Sequence, residues 1–152
     1  GTWQDVAKES RQTFVFKAAE KGTYFEQYNK TIAPYLREID IFLKSKKGGI
    51  SVKKAAELFN VKEDELKNIL EKEGYEKITR ENFFNIMAKG KSEVCKAFGR
   101  TLEKGIPHLL LPGDISYIYS IDIEKVLEGC EKVGISEYDK TLLPILFDNI
   151  SI

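Results

Sequence analysis

The side chains able to do chemistry are few and widely spaced. His108 is the sole histidine, and the two cysteines are Cys95 and Cys130. A zinc site needs several His or Cys ligands at close spacing, and a disulfide framework needs more cysteines. A nucleophile–histidine–carboxylate set would depend on His108, which has no acid or cysteine at a matching spacing. We therefore expect no catalytic residue, no metal, no cofactor and no enzymatic activity.

Gly90-Lys91-Ser92 has the order that closes a phosphate-binding loop, but the rest of that motif is missing. Its opening glycine would stand at position 85, which is Asn85 in this chain. The preceding segment has the apolar spacing of an amphipathic helix, whereas a phosphate loop follows a strand. We reject nucleotide binding at this site.

Both cysteines fall at apolar positions of predicted helices, so we interpret them as small buried side chains in a reducing compartment. No apolar run approaches the roughly 18 residues of a spanning helix, and no signal-peptide pattern occurs. These features predict a cytoplasmic protein with no membrane partner. The 24 basic and 24 acidic residues give zero net charge, so no overall field attracts nucleic acid.

Positive charge is nevertheless concentrated in one stretch. Residues 29–60 carry seven basic and three acidic side chains, a net charge of +4. The densest group, which we call the lysine patch, is Lys44, Lys46, Lys47, Lys53 and Lys54. We interpret it first as a solvated loop and helix face. The alternative is an anion or nucleic-acid contact, helped by main-chain amides after Gly48-Gly49 at a helix start.

Aromatic side chains form a second group of candidates because they crowd the first 35 residues. A hydrophobic core is the default interpretation of this crowding. The alternative is an exposed aromatic surface that accepts a partner helix. The candidates for that surface are Tyr24, Phe25, Tyr28, Tyr117 and Tyr119.

These candidates must be positioned by helices, and one helical pattern occurs twice. Shifting residues 58–87 by sixty positions onto 118–147 matches the apolar pattern without a gap. Gly74 and Gly134 then align just past the second helix, where a left-handed residue ends helices in a Schellman motif. Few aligned residues are identical. The match therefore depends on the shared spacing of apolar residues, the aligned glycines and the aligned turn between the helices. The pattern predicts one supersecondary unit used twice.

The sequence predicts an all-α protein in which short strands, if any, are minor. A helical N-terminal region, residues 1–49, includes a helix at 3–21. Two tri-helical units follow, residues 50–88 and 110–152, joined by a connecting helix and loop at 89–109. The predicted first core is Leu58, Leu66, Leu70, Phe83 and Met87, and the second is Ile118, Val126, Cys130, Leu143 and Phe147.

Each unit has a helix-turn-helix outline, with Val61 or Ile121 as the apolar turn residue. The outline resembles that of small bacterial regulators without matching a particular family. Residues 62–73 hold three lysines against five acids, and residues 122–133 hold two against four. DNA affinity depends on Lys and Arg at the phosphates, so these charges oppose DNA reading by the second helices.

We therefore expect a non-catalytic helical module for protein interaction or assembly, which binds a protein partner or a second copy. The alternative is a DNA-binding transcriptional regulator of helix-turn-helix type. In that alternative, nucleic acid would be bound weakly through the lysine patch.

Overall fold

The computed structural model describes residues 22–45 and 49–152, and in these ranges the chain is mostly helical, which confirms the all-α prediction. The predicted helix at 3–21 lies outside the described residues. The helices are α1 (Tyr24–Thr31), α2 (Ala33–Ser45), α3 (Val52–Phe59), α4 (Glu63–Glu73), α5 (Phe83–Ala88), α6 (Glu93–Glu103), α7 (Pro112–Tyr119), α8 (Ile123–Val133) and α9 (Leu143–Phe147). In the described part, no helix is both long and apolar enough to cross a membrane.

The chain folds into two compact units. The central unit comprises residues 30–107 and holds α2 to α6. The C-terminal unit comprises residues 108–152 together with residues 22–29, and so holds α7 to α9 and most of α1. Strand pairing among the described residues is limited to isolated antiparallel bridges, which are Thr23–Ser151, Ile50–Ile78 and Leu110–Tyr138.

In the central unit, α3 begins and ends at residues suited to those places. The Ser51 hydroxyl accepts a hydrogen bond from the Lys54 N–H at 3.1 Å and so satisfies one amide of the first turn. Ala55, Ala56 and Phe59 form its buried face. Asn60 ends the helix with φ +55°, a left-handed conformation that asparagine tolerates better than most residues.

The next helix, α4, ends in the predicted Schellman motif. Gly74 has φ +77°, and its N–H donates to the Glu71 carbonyl at 3.2 Å. The Tyr75 N–H donates to the Leu70 carbonyl at 2.9 Å. These are the two bonds that define the motif, and they satisfy carbonyl groups that the helix leaves free.

The core of the central unit lies between these helices, because α2 packs against α3 and α6, α3 packs against α4, and α5 packs against α6. Every predicted residue of the first core is buried. On α6, Val94 is fully buried, whereas Leu102, near the end of the helix, is 36% exposed.

In the C-terminal unit, α8 packs against both α7 and α9, and every predicted residue of the second core is buried. The end of α8 differs from the prediction. Gly134 has φ +81°, but its N–H donates to the Cys130 carbonyl at 2.7 Å, which is the bond of the simpler left-handed cap. Asp139 precedes α9 and accepts from the Leu142 N–H at 3.0 Å.

Element positions in the two units differ by a constant sixty residues. This offset relates α3 to α7, α4 to α8 and the Ile50–Ile78 bridge to the Leu110–Tyr138 bridge. Asn60 and Ser120, at the two helix-turn-helix turns, have φ +55° and +56°.

Leu66→Ala should lower the free energy of unfolding by about 2–5 kcal/mol, because Leu66 is fully buried and its loss leaves a cavity. Urea denaturation followed by circular dichroism measures this change. Lys67→Ala on the exposed side of α4 is the matched control and should change stability by less than about 0.5 kcal/mol. Equal effects of the two substitutions would contradict the described packing of α4.

Candidate functional site

Each unit presents a helix-turn-helix whose turn is held by local hydrogen bonds. In the central unit, the Val61 N–H donates to the Ala56 carbonyl at 3.0 Å. In the C-terminal unit, the Ile121 N–H donates to the Ser116 carbonyl at 3.1 Å, and the Ser116 hydroxyl donates to the Ile121 carbonyl at 2.6 Å. These bonds fix the second helix of each pair, so its outward side chains form a surface of defined geometry.

The outward surface of α4 is charged and mainly acidic. Its exposed residues are Glu63, Asp64, Lys67, Asn68, Glu71, Lys72 and Glu73. The acids at its first turn lie where the N–H groups of the helix carry partial positive charge, so they stabilise the helix itself. The same acids would repel a phosphate backbone that approached this end.

The outward surface of α8 is different because it combines apolar and acidic side chains. Ile123 is 40% exposed and Leu127 is 51% exposed. Glu124, Glu128 and Glu131 are exposed on the same helix. Leu127 and these three glutamates line an open groove of about 620 Å³, which continues past the end of the helix to Gly134, Ile135 and Ser136. We call this the α8 groove.

Sequence reasoning missed Ile123 and Leu127, although a signal for them was present. In the alignment offset by sixty residues they stand opposite Glu63 and Lys67. A charged residue in one unit marks a position that the framework leaves in water. An apolar residue at the matching position is therefore a candidate for a contact outside the unit.

The three described members of the lysine patch, Lys44, Lys53 and Lys54, are all exposed. Lys44 forms an ion pair with Asp40 at 3.0 Å, and the Lys54 ammonium lies 5.8 Å from the centre of the Phe42 ring. The remaining two members, Lys46 and Lys47, lie outside the described residues, as does Gly48.

Three of the five candidate aromatic residues belong to an internal cluster of the C-terminal unit. Tyr24, Tyr28 and Tyr119 surround Phe147, with ring centres 4.8, 4.9 and 5.0 Å from its own. Burial raises the pKa of Tyr119 well above its ordinary value, and the neighbouring tyrosines add to this effect. The default interpretation, a hydrophobic core, therefore describes these three residues.

The other two aromatic candidates lie closer to the surface. Phe25 is half-buried and Tyr117 is 45% exposed. Of the five candidates, Tyr117 offers the most surface to a partner.

The residues first considered for catalysis, metal binding or nucleotide binding are buried, take part in local hydrogen bonds or lie exposed at the surface. Cys95 and Cys130 are buried free thiols, as predicted. The hydroxyl of Ser92 accepts from the Cys95 N–H and so caps α6, while the Lys91 N–H donates to the Glu65 carboxylate at 3.0 Å. His108 is exposed. In the described ranges, no group of three His, Cys, Asp or Glu side chains could hold a metal ion.

Comparison of this chain with protein-family models, with curated proteins and with solved structures finds no match. The functional argument therefore rests on the surfaces just described.

The free energy of unfolding should depend on pH through Cys95. Burial is the main cause that raises the pKa of this thiol from 9.0 to about 11. The unfolded chain therefore loses this proton at a lower pH than the folded chain does. The resulting stabilisation is complete below about pH 9 and is lost as pH rises towards 11, by up to roughly 3 kcal/mol.

Urea denaturation of wild type and Cys95→Ala from pH 8 to pH 11 tests this linkage. Tyr119 and Tyr138, whose pKa values burial also raises, titrate in both proteins and cancel in the difference. The stability difference between the two proteins should shrink as pH rises above 9. A difference that stays constant across this range would show that the Cys95 pKa is not raised.

Proposed function

We propose that this protein is a non-catalytic interaction or assembly module, in which two similar helix-turn-helix units present their second helices to a protein partner or a second copy. The observation that carries the proposal is the character of the outward surfaces of α4 and α8. Both surfaces are rich in carboxylates, and that of α8 also exposes Ile123 and Leu127. Such surfaces suit protein partners better than a phosphate backbone.

The constant offset of sixty residues supports the further proposal that the two units are a duplicated architecture. The bounds of the first two helices of each unit, the start of the third, one isolated bridge in each unit and the left-handed turn residues follow this offset. A duplicated unit gives one chain two binding surfaces of similar shape. Because the outward residues differ between the units, the two surfaces would bind different chemical groups.

A second candidate function is DNA binding by a helix-turn-helix regulator. The turn geometry of both units favours it, and so does the exposed Asn68 on α4, since an asparagine amide can read adenine. Exposed Lys53 near the turn could contact phosphate. Against this candidate, the first turn of α4 carries Glu63, Asp64 and Glu65.

Site-specific photocrosslinking tests the proposed function directly. A benzoylphenylalanine placed at Asn68 or at Leu127 should give discrete protein adducts in cells, whose masses identify a partner or a second copy. The same group at exposed Lys140, which precedes α9, is the control and should give none. An absence of protein adducts from both helices would count against an interaction module.

A gel shift with genomic fragments should show no discrete sub-micromolar complex at physiological salt. Any weak attraction through the lysine patch should fall on the order of a thousandfold between low and physiological salt. A specific complex that resists competitor DNA would instead favour the regulator. Asn68→Ala would then weaken only the specific complex, whereas Lys53→Glu with Lys54→Glu would weaken binding to every sequence.

A further inference from the structure

Leu127 gives the α8 groove an exposed apolar side chain, and Ile123, which does not line the groove, is a second exposed apolar residue beside it. Ile123 and Leu127 are four positions apart, so they lie on one side of α8 and next to each other. The buried side of the same helix is formed by Val126, Gly129 and Cys130. The two exposed side chains are therefore additional to the core of the unit.

The central unit shows that this framework does not require apolar residues at the two positions. Its matching helix, α4, has the same length of 11 residues and carries Glu63 and Lys67 there. Both residues are exposed, and α4 still buries Leu66 and Leu70. Exposed Ile123 and Leu127 are thus a property of the α8 surface and not a condition of folding.

The charges around the groove indicate what it can bind. Glu124, Glu128 and Glu131 line it, and none of the three carboxylates forms an ion pair with a described residue. Lys125 and Lys132 are exposed on the same helix but do not line the groove. An exposed apolar side chain flanked by carboxylates attracts cationic side chains and repels phosphate.

The groove is open to solvent, so a partner segment can reach it. It runs beside Leu127 and past the end of α8, where the position of a Cβ on Gly134 would have no atom within 4 Å. Amphipathic helices bind such grooves through apolar residues at spacings of three and four, with polar residues at the rim.

We propose that the α8 groove and the adjoining Ile123 bind a basic amphipathic helix of a partner protein. Its apolar residues would cover Leu127 in the groove and Ile123 beside it, and its Lys or Arg side chains would lie near Glu124, Glu128 and Glu131. This inference rests on the proposed interaction function and names the chemistry of the partner. The central unit, whose α4 has Lys67 and Asn68 at the matching positions of Leu127 and Glu128, does not offer this site.

A labelled synthetic peptide, the heptad Leu-Lys-Lys-Leu-Leu-Lys-Leu written twice, is the probe. The same peptide with Glu in place of every Lys is its control. Fluorescence anisotropy with the full chain measures affinity, and amide chemical shifts in nuclear magnetic resonance spectra locate the peptide. The basic peptide should bind and shift residues of α8 and residues 134–136, while the acidic peptide should bind at least tenfold more weakly.

Substitutions separate the apolar from the ionic contribution. Leu127→Lys introduces the residue type found at the matching position of α4. It should lower the affinity for the basic peptide at least tenfold. Glu128→Lys should also weaken it and should reduce the dependence of its affinity on salt. Ile145→Lys is the matched control, because Ile145 is 48% exposed in the same unit but does not line the groove. It should leave the affinity unchanged.

Four results would overturn the inference. They are unchanged affinity of Leu127→Lys, shifts outside the α8 groove, dimerisation that Leu127→Lys abolishes in sedimentation velocity, and a shift of the Trp3 indole resonance on Leu127→Lys without peptide. The third result would make a second copy the occupant, and the fourth would make it the N-terminal segment of the chain. Photocrosslinks from Asn68 would still support an interaction module if the groove failed, so the two failures are distinguishable.

Discussion

The packing of the central unit depends on the hydrogen bonds made by the last carbonyl groups of α3. The last carbonyl groups of a helix have no partner within it. The Phe59 carbonyl accepts from the Ser92 hydroxyl at 2.6 Å and from the Cys95 thiol at 3.6 Å. The Phe59 ring packs on Phe83, with 4.9 Å between ring centres. One residue therefore joins α3 to α5 through its ring and to α6 through its main chain. Because these groups are buried, losing a partner would leave a carbonyl without the hydrogen bonds that repay its removal from water.

The C-terminal unit joins its helices through residues that are distant in sequence. Tyr119 stands at the position matching Phe59, and its ring packs on Phe147 and on Tyr24. The Tyr24 N–H donates to the Ile150 carbonyl at 2.8 Å. This unit is thus completed by residues that precede the whole central unit in the chain. Closing so long a loop costs entropy before its contacts form, so this contact belongs to the slower part of folding.

The fold was predictable from sequence where the signals are local. Ser51 and Gly74 mark the start of α3 and the end of α4, because caps and the helical period involve residues only a few positions apart. Periodicity could not show that Tyr24 packs on Phe147, since it identifies an apolar side without naming its neighbour. The candidate site was predicted less well. The default interpretation of the aromatic crowding, a hydrophobic core, describes Tyr24, Tyr28 and Tyr119, so these three candidates do not form a partner surface. The exposure of Leu127 was visible only by comparing the two units.

Sequence differences between the two units are compensated by packing in the core but not at the surface. Gly129 occupies the position that Ile69 holds in the central unit, and a Cβ there would lie 3.0 Å from the Ile150 side chain. Volume lost on the helix is thus filled by a residue of the same unit, as close packing requires. Ile123 and Leu127 replace the charged residues of the matching positions in α4. No other residue of the C-terminal unit covers them, since both remain exposed. Exposed apolar side chains contribute favourable free energy only when a contact removes their surface from water. The two units therefore have matching helix positions, but the exposed side chains of their second helices differ in a way that packing within each unit does not explain.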